Sequence, residues 1–474
     1  GGIDSITGST GNDTFVFSSD LGLTDTIIGG DGTDTIEIST GTTANVNMGG
    51  VSGVEIVNFA GTYATGTLTL SNGATSITGT AADNQVITLG NIVSNISLDL
   101  GNGGADQIIL ADGTNAIQVT SVETVTGGSG NDTITYAVGT SSGTIDGGAG
   151  TDTIVLQSGS NTLGNVQGIE SITGGTGIDT ITFGAAVTAT TMSGGGGADV
   201  VTLGNFANTG FTFDLGTGTV SVNGVAGNDK VTVTGTGSAT FASGTGNDNL
   251  TGGSGNDTFK FAGGALDAND TIVGGDGTDT VEITTDAGNT VMTNVSGVET
   301  VLFSSAETAR TITLSSGVTS ITESGGGIQT ITLGAAVTGL SVDLGAANDS
   351  VTLANGTNSL TVTSVETVTG GTGNDTITIA AGSTTTVSGG TGTADSVILA
   401  GAATLILGDT GVETVTGSSG NDTITGSVGG SDNIVGGAGN DIFKFAGGDL
   451  SAADTLVGGD GTDTVEITTD AGNT

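Results

Sequence analysis

The feature that most constrains this chain is a nine-residue pattern, G-G-x-G-x-D-x-U-x with U apolar, which returns about ten times along 474 residues. It is clearest between Gly252 and Glu282, in GGSGNDTFKFAGGALDANDTIVGGDGTDTVE. Asp248 and Asp257 stand nine residues apart, Asp270 follows after thirteen, and Asp279 after nine more. A short fixed period overrides chain length as a guide to architecture, because each unit is one turn of a stack. Six turn residues must fold back tightly, which glycine allows because it reaches positive φ freely. The three that follow are extended and send U into a core that only neighbouring coils complete.

If two nonapeptides make about one coil, Asp257 and Asp279 share one edge of the stack, and Asp248 and Asp270 share the other. Carbonyls and a carboxylate aimed inward at each turn offer the all-oxygen surroundings of a hard divalent cation, about six to eight oxygens for calcium. The aspartates this reading singles out as ligands are Asp13, Asp25, Asp34, Asp132, Asp152, Asp179, Asp199, Asp248, Asp257, Asp270, Asp279, Asp375, Asp422, Asp441, Asp454 and Asp463. The competing role is that of a turn former whose carboxylate bonds its own backbone. Recurrence at rung-like spacing favours ligation where the motif is strict. Asp83, Asp106 and Asp229 lie in degenerate turns, where few ions are expected.

These motifs resemble the repeats-in-toxin (RTX) family, whose parallel β-rolls bind calcium between stacked turns and belong to secreted bacterial proteins. Long tandem runs are missing here, since most motif turns are separated by about one extra β segment. The expected fold is therefore all-β: a right-handed, β-roll-like parallel solenoid with Gly/Asp calcium turns at intervals and almost no helix. The resemblance also implies calcium as the cofactor, at several sites, and export with folding outside the cell.

Composition supports many short strands and tight turns, with 92 glycines, no proline, and Thr, Val and Ile between them. With only 3% aromatic residues, the expected core is a narrow column of Ile, Val, Leu and Ala. The 48 acids face only Lys230, Lys260, Arg310 and Lys444, for a net charge of −44. Self-repulsion at that charge opposes compaction, and bound calcium relieves it, so folding is expected to be coupled to metal. Nucleic acid is excluded as a partner for want of a basic surface. No apolar run is long enough to span a membrane, and the absence of cysteine excludes disulfides. The opening GGIDSITGSTGNDTF has neither a basic nor an apolar leader region, so no signal peptide is expected there.

Along the chain, Asp4, Asp13, Asp25 and Asp34 set steps of nine, twelve and nine, and weaker coils follow from Thr42 to Ala116. Asp132, Asp152, Asp179 and Asp199 then follow at steps of twenty, twenty-seven and twenty, close to the rung of a solenoid with two or three short faces. VSGVETVLF at Val295 repeats VSGVEIVNF at Val51, one long repeat later. The expected organisation is a first long repeat over 1–244, a second, shorter repeat over 245–428 that lacks the counterpart of Gly184 to Ser243, and the start of a third over 429–474. The chain reads as a segment of something longer.

Two smaller signals remain open in the sequence. The glutamate of V-E-[TS]-[VI], at Glu123, Glu170, Glu366 and Glu413, falls nine residues before a motif aspartate and so on the opposite edge. It reads more readily as a solvated outward acid than as a ligand, with a corner marked by the out-of-phase Val122 and Val125. Lys260 and Lys444, each in FKF, read as exposed strand cations that discourage edge pairing. The sequence does not decide whether Phe259 and Phe261 share a face.

Catalysis has little support, with no histidine or cysteine to serve as base or nucleophile. The expected function is an extracellular, calcium-rigidified structural solenoid that self-associates, end to end or laterally, into a bacterial surface layer, filament or matrix. The alternative is a stalk of a secreted adhesin, with cell-surface polysaccharide as a ligand. An ice-binding face ranks last, because the third motif position varies among Ser129, Ala149, Thr176, Gly196, Ser254, Asp276 and Thr372.

Overall fold

The computed structural model describes residues 2–18, 21–39, 45–61, 66–79, 84–101, 105–137, 141–186, 190–204, 208, 210–224, 227–285, 288–305, 307–409, 411–426 and 431–468. The fold is an all-β parallel solenoid of about 21 turns, without helix among those residues. It comprises two compact units, one formed by Gly1–Thr245 with Leu250–Ser254, the other by Gly246–Asn249 with Gly255–Thr474.

In the first unit every rung contributes short strands to two faces, and each strand pairs in parallel with its counterpart one rung on. On one face Ile117, Ile134, Ile154, Ile172, Met192, Phe213 and Val233 stack in register, each buried. On the other, Ile108, Val125 and Ile145 stack likewise, as do Ile181, Val201, Val222 and Phe241. The alternation is that of TITY at Thr133–Tyr136, where Ile134 and Tyr136 point in and the threonines out. A short third ladder joins Ser5–Thr7, Thr26–Ile28 and Val51–Ser52.

The second unit repeats the arrangement. Phe259, Val281, Val301, Ile321, Val342 and Val362 form one column, and Ile331, Val351, Val368 and Val387 the other. Each such side chain gains roughly 1.5–3 kcal/mol by leaving water, but only once a neighbouring rung covers it. Aromatics enter these columns more than their number suggests, since Phe59, Phe211, Phe213, Phe241 and Tyr136 are fully buried. Phe259 and Phe261 share the inner face, which leaves Lys260 outside.

Candidate metal sites along the turn edges

Each motif aspartate closes its turn immediately before a strand, and its carboxylate reaches along the edge to the rung beneath. One oxygen, Oδ1, accepts the backbone N–H of the residue at the same place one rung earlier. Asp34 thus holds Asp13 at 2.7 Å, Asp152 holds Asp132 at 2.8 Å, Asp199 holds Asp179 at 3.0 Å and Asp279 holds Asp257 at 2.7 Å. Asp395 holds Asp375 at 2.7 Å, Asp441 holds Asp422 at 2.9 Å, and Asp463 holds Asp441 at 3.0 Å. Asp270 does the same for Asp248 at 2.8 Å, so the two-edge arrangement expected from the spacing is realised. The asparagine of G-N-D answers in the opposite direction, with Asn131 Oδ1 accepting the N–H of Thr151 and Asn256 Oδ1 that of Thr278, both at 2.9 Å. Two reciprocal bonds therefore clamp neighbouring turns.

The second oxygen sets two groups of these aspartates apart from the rest. Oδ2 of Asp13, Asp132, Asp179, Asp375 and Asp422 accepts the N–H four residues back in its own turn, from Ser9, Gly128, Gly175, Gly371 and Ser418. Oδ2 of Asp34, Asp106, Asp152, Asp279, Asp349, Asp395 and Asp441 is buried with no hydrogen-bond partner. An orphaned buried carboxylate oxygen is costly, and a cation is the group that removes the cost. The backbone supplies further oxygens at the same place. A Cβ on Gly29 would collide with the Gly53 carbonyl oxygen and with Asp34 Oδ2, and one on Gly274 with the Gly297 carbonyl oxygen and Asp279 Oδ2. One on Gly147 would strike the Gly168 carbonyl oxygen and lie 2.8 Å from Asp152 Oδ2. Only glycine lets these oxygens face one another.

Asp25, Asp270 and Asp454, which follow the longer steps of twelve or thirteen, have both oxygens engaged by backbone N–H groups. The N–H of Gly22, then that of Asp4, lowers the pKa of Asp25, and the N–H of Ser451 leads in lowering that of Asp454. Both oxygens of Asp132, Asp179, Asp375 and Asp422 also accept backbone N–H groups, so all seven have the geometry of a turn former.

At Asp270, although both oxygens accept N–H groups, burial dominates and raises the pKa. It pushes the carboxyls of Asp106, Asp152, Asp199 and Asp279 up to about 6, and those of Asp229, Asp349, Asp395 and Asp441 upward as well. At Asp152 the charges of Asp132, Glu170 and Asp146 add to the effect. Stacked carboxylates that repel one another and are poorly solvated form an environment that a divalent cation relieves. Among the described residues no three acidic side chains converge on one point, so carbonyl oxygens must complete any coordination shell.

The glutamates correct the sequence reading. They are half-buried, and each reaches back to the aspartate one rung earlier: Glu123 Oε2 accepts the N–H of Asp106, Glu170 that of Asp152, Glu366 that of Asp349 and Glu413 that of Asp395, at 2.6–2.8 Å. Glu55 and Glu299 do the same for Asp34 and Asp279. The residue two before the glutamate is left-handed, with φ +63° at Gly53, +53° at Ser121 and +50° at Ser364, which turns the corner and buries the intervening valine. Val122 and Val125 are both buried, as a corner there requires.

Sequence reasoning assigns no site to Asp349 or Asp395 and few ions to Asp106, yet all three are buried and carry orphaned oxygens. The signal is present in the chain: each lies one rung before one of these glutamates. Lys260 and Lys444 are paired within the chain, with Glu282 at 3.0 Å and Glu466 at 3.7 Å, one rung on. Asp83 and the side chain of Arg310 lie outside the described residues.

The family model for the RTX calcium-binding nonapeptide repeat, in four copies, matches residues 1–18, 24–38, 121–140, 144–163, 233–265, 265–282, 363–378, 407–443, 429–449 and 450–466. The chain carries the calcium-binding repeats of the RTX-type β-roll family on a parallel β-solenoid. No curated protein matches it. The RTX matches cover many of the turns with stacked carboxylates but leave out the Asp106, Asp179, Asp199, Asp349 and Asp395 turns. The donor set of carboxylate and carbonyl oxygens, with orphaned Oδ2 atoms, fits calcium. Among the described residues no helix is long and apolar enough to cross a membrane.

Proposed function

We propose that this RTX solenoid is an extracellular structural element whose turns are locked by calcium, and that copies of it assemble into a surface layer, filament or matrix. The observation that carries the calcium half is the set of seven buried aspartate Oδ2 atoms without a partner, several of them facing a glycine carbonyl of the next rung. The proposed ligands are the aspartates with orphaned oxygens: Asp34, Asp106, Asp152, Asp279, Asp349, Asp395 and Asp441. When bound, calcium supplies positive charge between stacked oxygens that otherwise repel. The chain's own residues do the rest: glycines admit the carbonyls, Oδ1 atoms clamp the rungs, and glutamates end six of the runs of aspartates among the described residues.

Proteins with RTX repeats are typically secreted, which fits folding where calcium is plentiful. The assembly half rests on repetition without an evident catalytic constellation and on a net charge of −44, which calcium bridges between copies would offset. Light scattering after size exclusion, with and without calcium, tests it. Growth in mass on adding calcium supports assembly. A monodisperse monomer in calcium indicates a stalk.

A further inference from the structure

Besides Asn208, whose turn is only partly among the described residues, three positions that correspond to the motif aspartate hold asparagine instead: Asn115 in ADGTN, Asn161 in SGSN and Asn358 in ANGTN. All three are 1% exposed or less. The Oδ1 atoms of Asn115 and Asn358 do the aspartate's clamping work, accepting N–H groups of Val93 and Val337 one rung earlier at 3.1 Å. Nδ2 does something no aspartate can. In Asn115 it donates to the carbonyls of Ala111 and Gly113 in its own turn, at 2.8 and 2.9 Å, and to Oδ1 of Asp132 one rung on, at 2.9 Å. Asn358 repeats this with Ala354, Gly356 and Asp375 at 2.9, 3.0 and 2.8 Å, and Asn161 with Gln157, Gly159 and Asp179 at 3.1, 3.0 and 2.8 Å.

Two turn carbonyls and one carboxylate oxygen from the next rung thus converge on a single donor group. A carboxylate oxygen placed there would face three acceptors, and a cation would have to join them. We propose that the buried amides of Asn115, Asn161 and Asn358 take the place of the cation, so that these turns close without calcium while the orphaned aspartate turns further along the runs, at Asp152 and Asp395, do not. The inference rests on the aspartates being calcium ligands. Its structural corollary is that several runs of aspartates start on an amide, whereas the run Asp422, Asp441, Asp463 starts on Ala403. Asn115 leads to Asp132, Asp152 and the terminating Glu170, and Asn358 to Asp375, Asp395 and Glu413. Gln85 and Gln329 open two shorter runs, ending in Glu123 and Glu366, with their Nε2 atoms on the carbonyls of Gly61 and Ser305. Each of these runs thus rests on a neutral, metal-free turn.

The test uses the whole chain, wild type and Asn358→Asp, with bound calcium counted by equilibrium dialysis and amide hydrogen exchange followed as calcium is withdrawn. In the wild type, protection at Ser359–Thr363 should outlast that at Ser396–Leu399. Asn358→Asp should bind one more calcium ion, exchange about tenfold faster or more at Ser359–Thr363 in chelator, and regain protection when calcium returns. Asn358→Leu should lose protection in both conditions. Unchanged stoichiometry with unchanged protection in Asn358→Asp overturns the inference, as does a variant that calcium fails to rescue. A wild type that binds no calcium overturns the functional reading instead, and is seen before any variant is made.

Discussion

The backbone N–H of Asp152 donates to Oε2 of Glu170 at 2.8 Å, across one rung of the solenoid. A longer acid thus takes over the clamp that Asp152 itself supplies to Asp132. The glutamate closes the run of aspartates, and its charge adds to the burial that raises the pKa of Asp152. Removing the acceptor leaves a buried N–H unpaired. Glu170→Ala is expected to lower stability by about 1–3 kcal/mol, with faster hydrogen exchange at Asp152, whereas Glu170→Gln keeps an acceptor and costs less. Equal effects of the two changes would show that the hydrogen bond is not what the glutamate contributes.

Adjacent glycines of one turn should respond differently to substitution. Gly195 has φ +80°, and a Cβ there would collide with the Gly175 carbonyl oxygen, while a Cβ on Gly196 meets nothing within 4 Å. Gly195→Ala is expected to cost about 1–3 kcal/mol or more, and Gly196→Ala to lie within about 0.5 kcal/mol of wild type. Denaturant unfolding in calcium reads both. Comparable losses at the two positions would contradict the turn geometry.

The pH dependence should change sign with calcium. Asp106, Asp152, Asp199 and Asp279 have carboxyls raised to about 6 from an ordinary 3.8. A carboxyl raised on folding favours the folded state when protonated; that contribution is complete below the unfolded value and is lost as the pH rises through about 6. In chelator, thermal stability should therefore rise as the pH falls from about 7.5 to 4.5. In calcium it should fall over the same window, because protonation expels the ion. Parallel trends in the two conditions would show that these carboxyls do not hold metal.

The Lys260 to Glu282 pair, at 3.0 Å on the solvent side of a strand, is expected to matter little. Lys260 is about two-fifths exposed, so Lys260→Ala should cost less than about 1 kcal/mol in thermal unfolding. A larger loss would mean that the two FKF cassettes carry a role beyond strand packing.

Much of this architecture is legible in the sequence, because a β-solenoid writes its period directly into the chain. Steps near twenty keep an aspartate on one edge, as from Asp132 to Asp152, and the longer step from Asp152 to Asp179 changes edge, since Glu170 fills the intervening rung. What the motif hides are residues that do the aspartate's work under another identity. Asn115 and Asn358 replace it with an amide, Asp349 keeps the acid but loses the glycines that make the pattern visible, and Asp395 keeps both with one extra residue between Gly392 and the acid. Glu170 reads as solvated because an acid on an outward strand face usually is, and only the register of the rungs shows an N–H within its reach. A motif search scores glycine spacing, whereas the physical requirement is an oxygen or an amide placed immediately before a strand.

The most direct test of calcium-locked turns is far-UV circular dichroism of the chain in chelator, then in calcium, then in magnesium at the same ionic strength. The seven orphaned aspartate oxygens require that full β signal appear with calcium. Magnesium, which demands tighter octahedral geometry and keeps its waters, should give much less. A chain equally folded in chelator would contradict the account and leave the aspartates as turn formers alone.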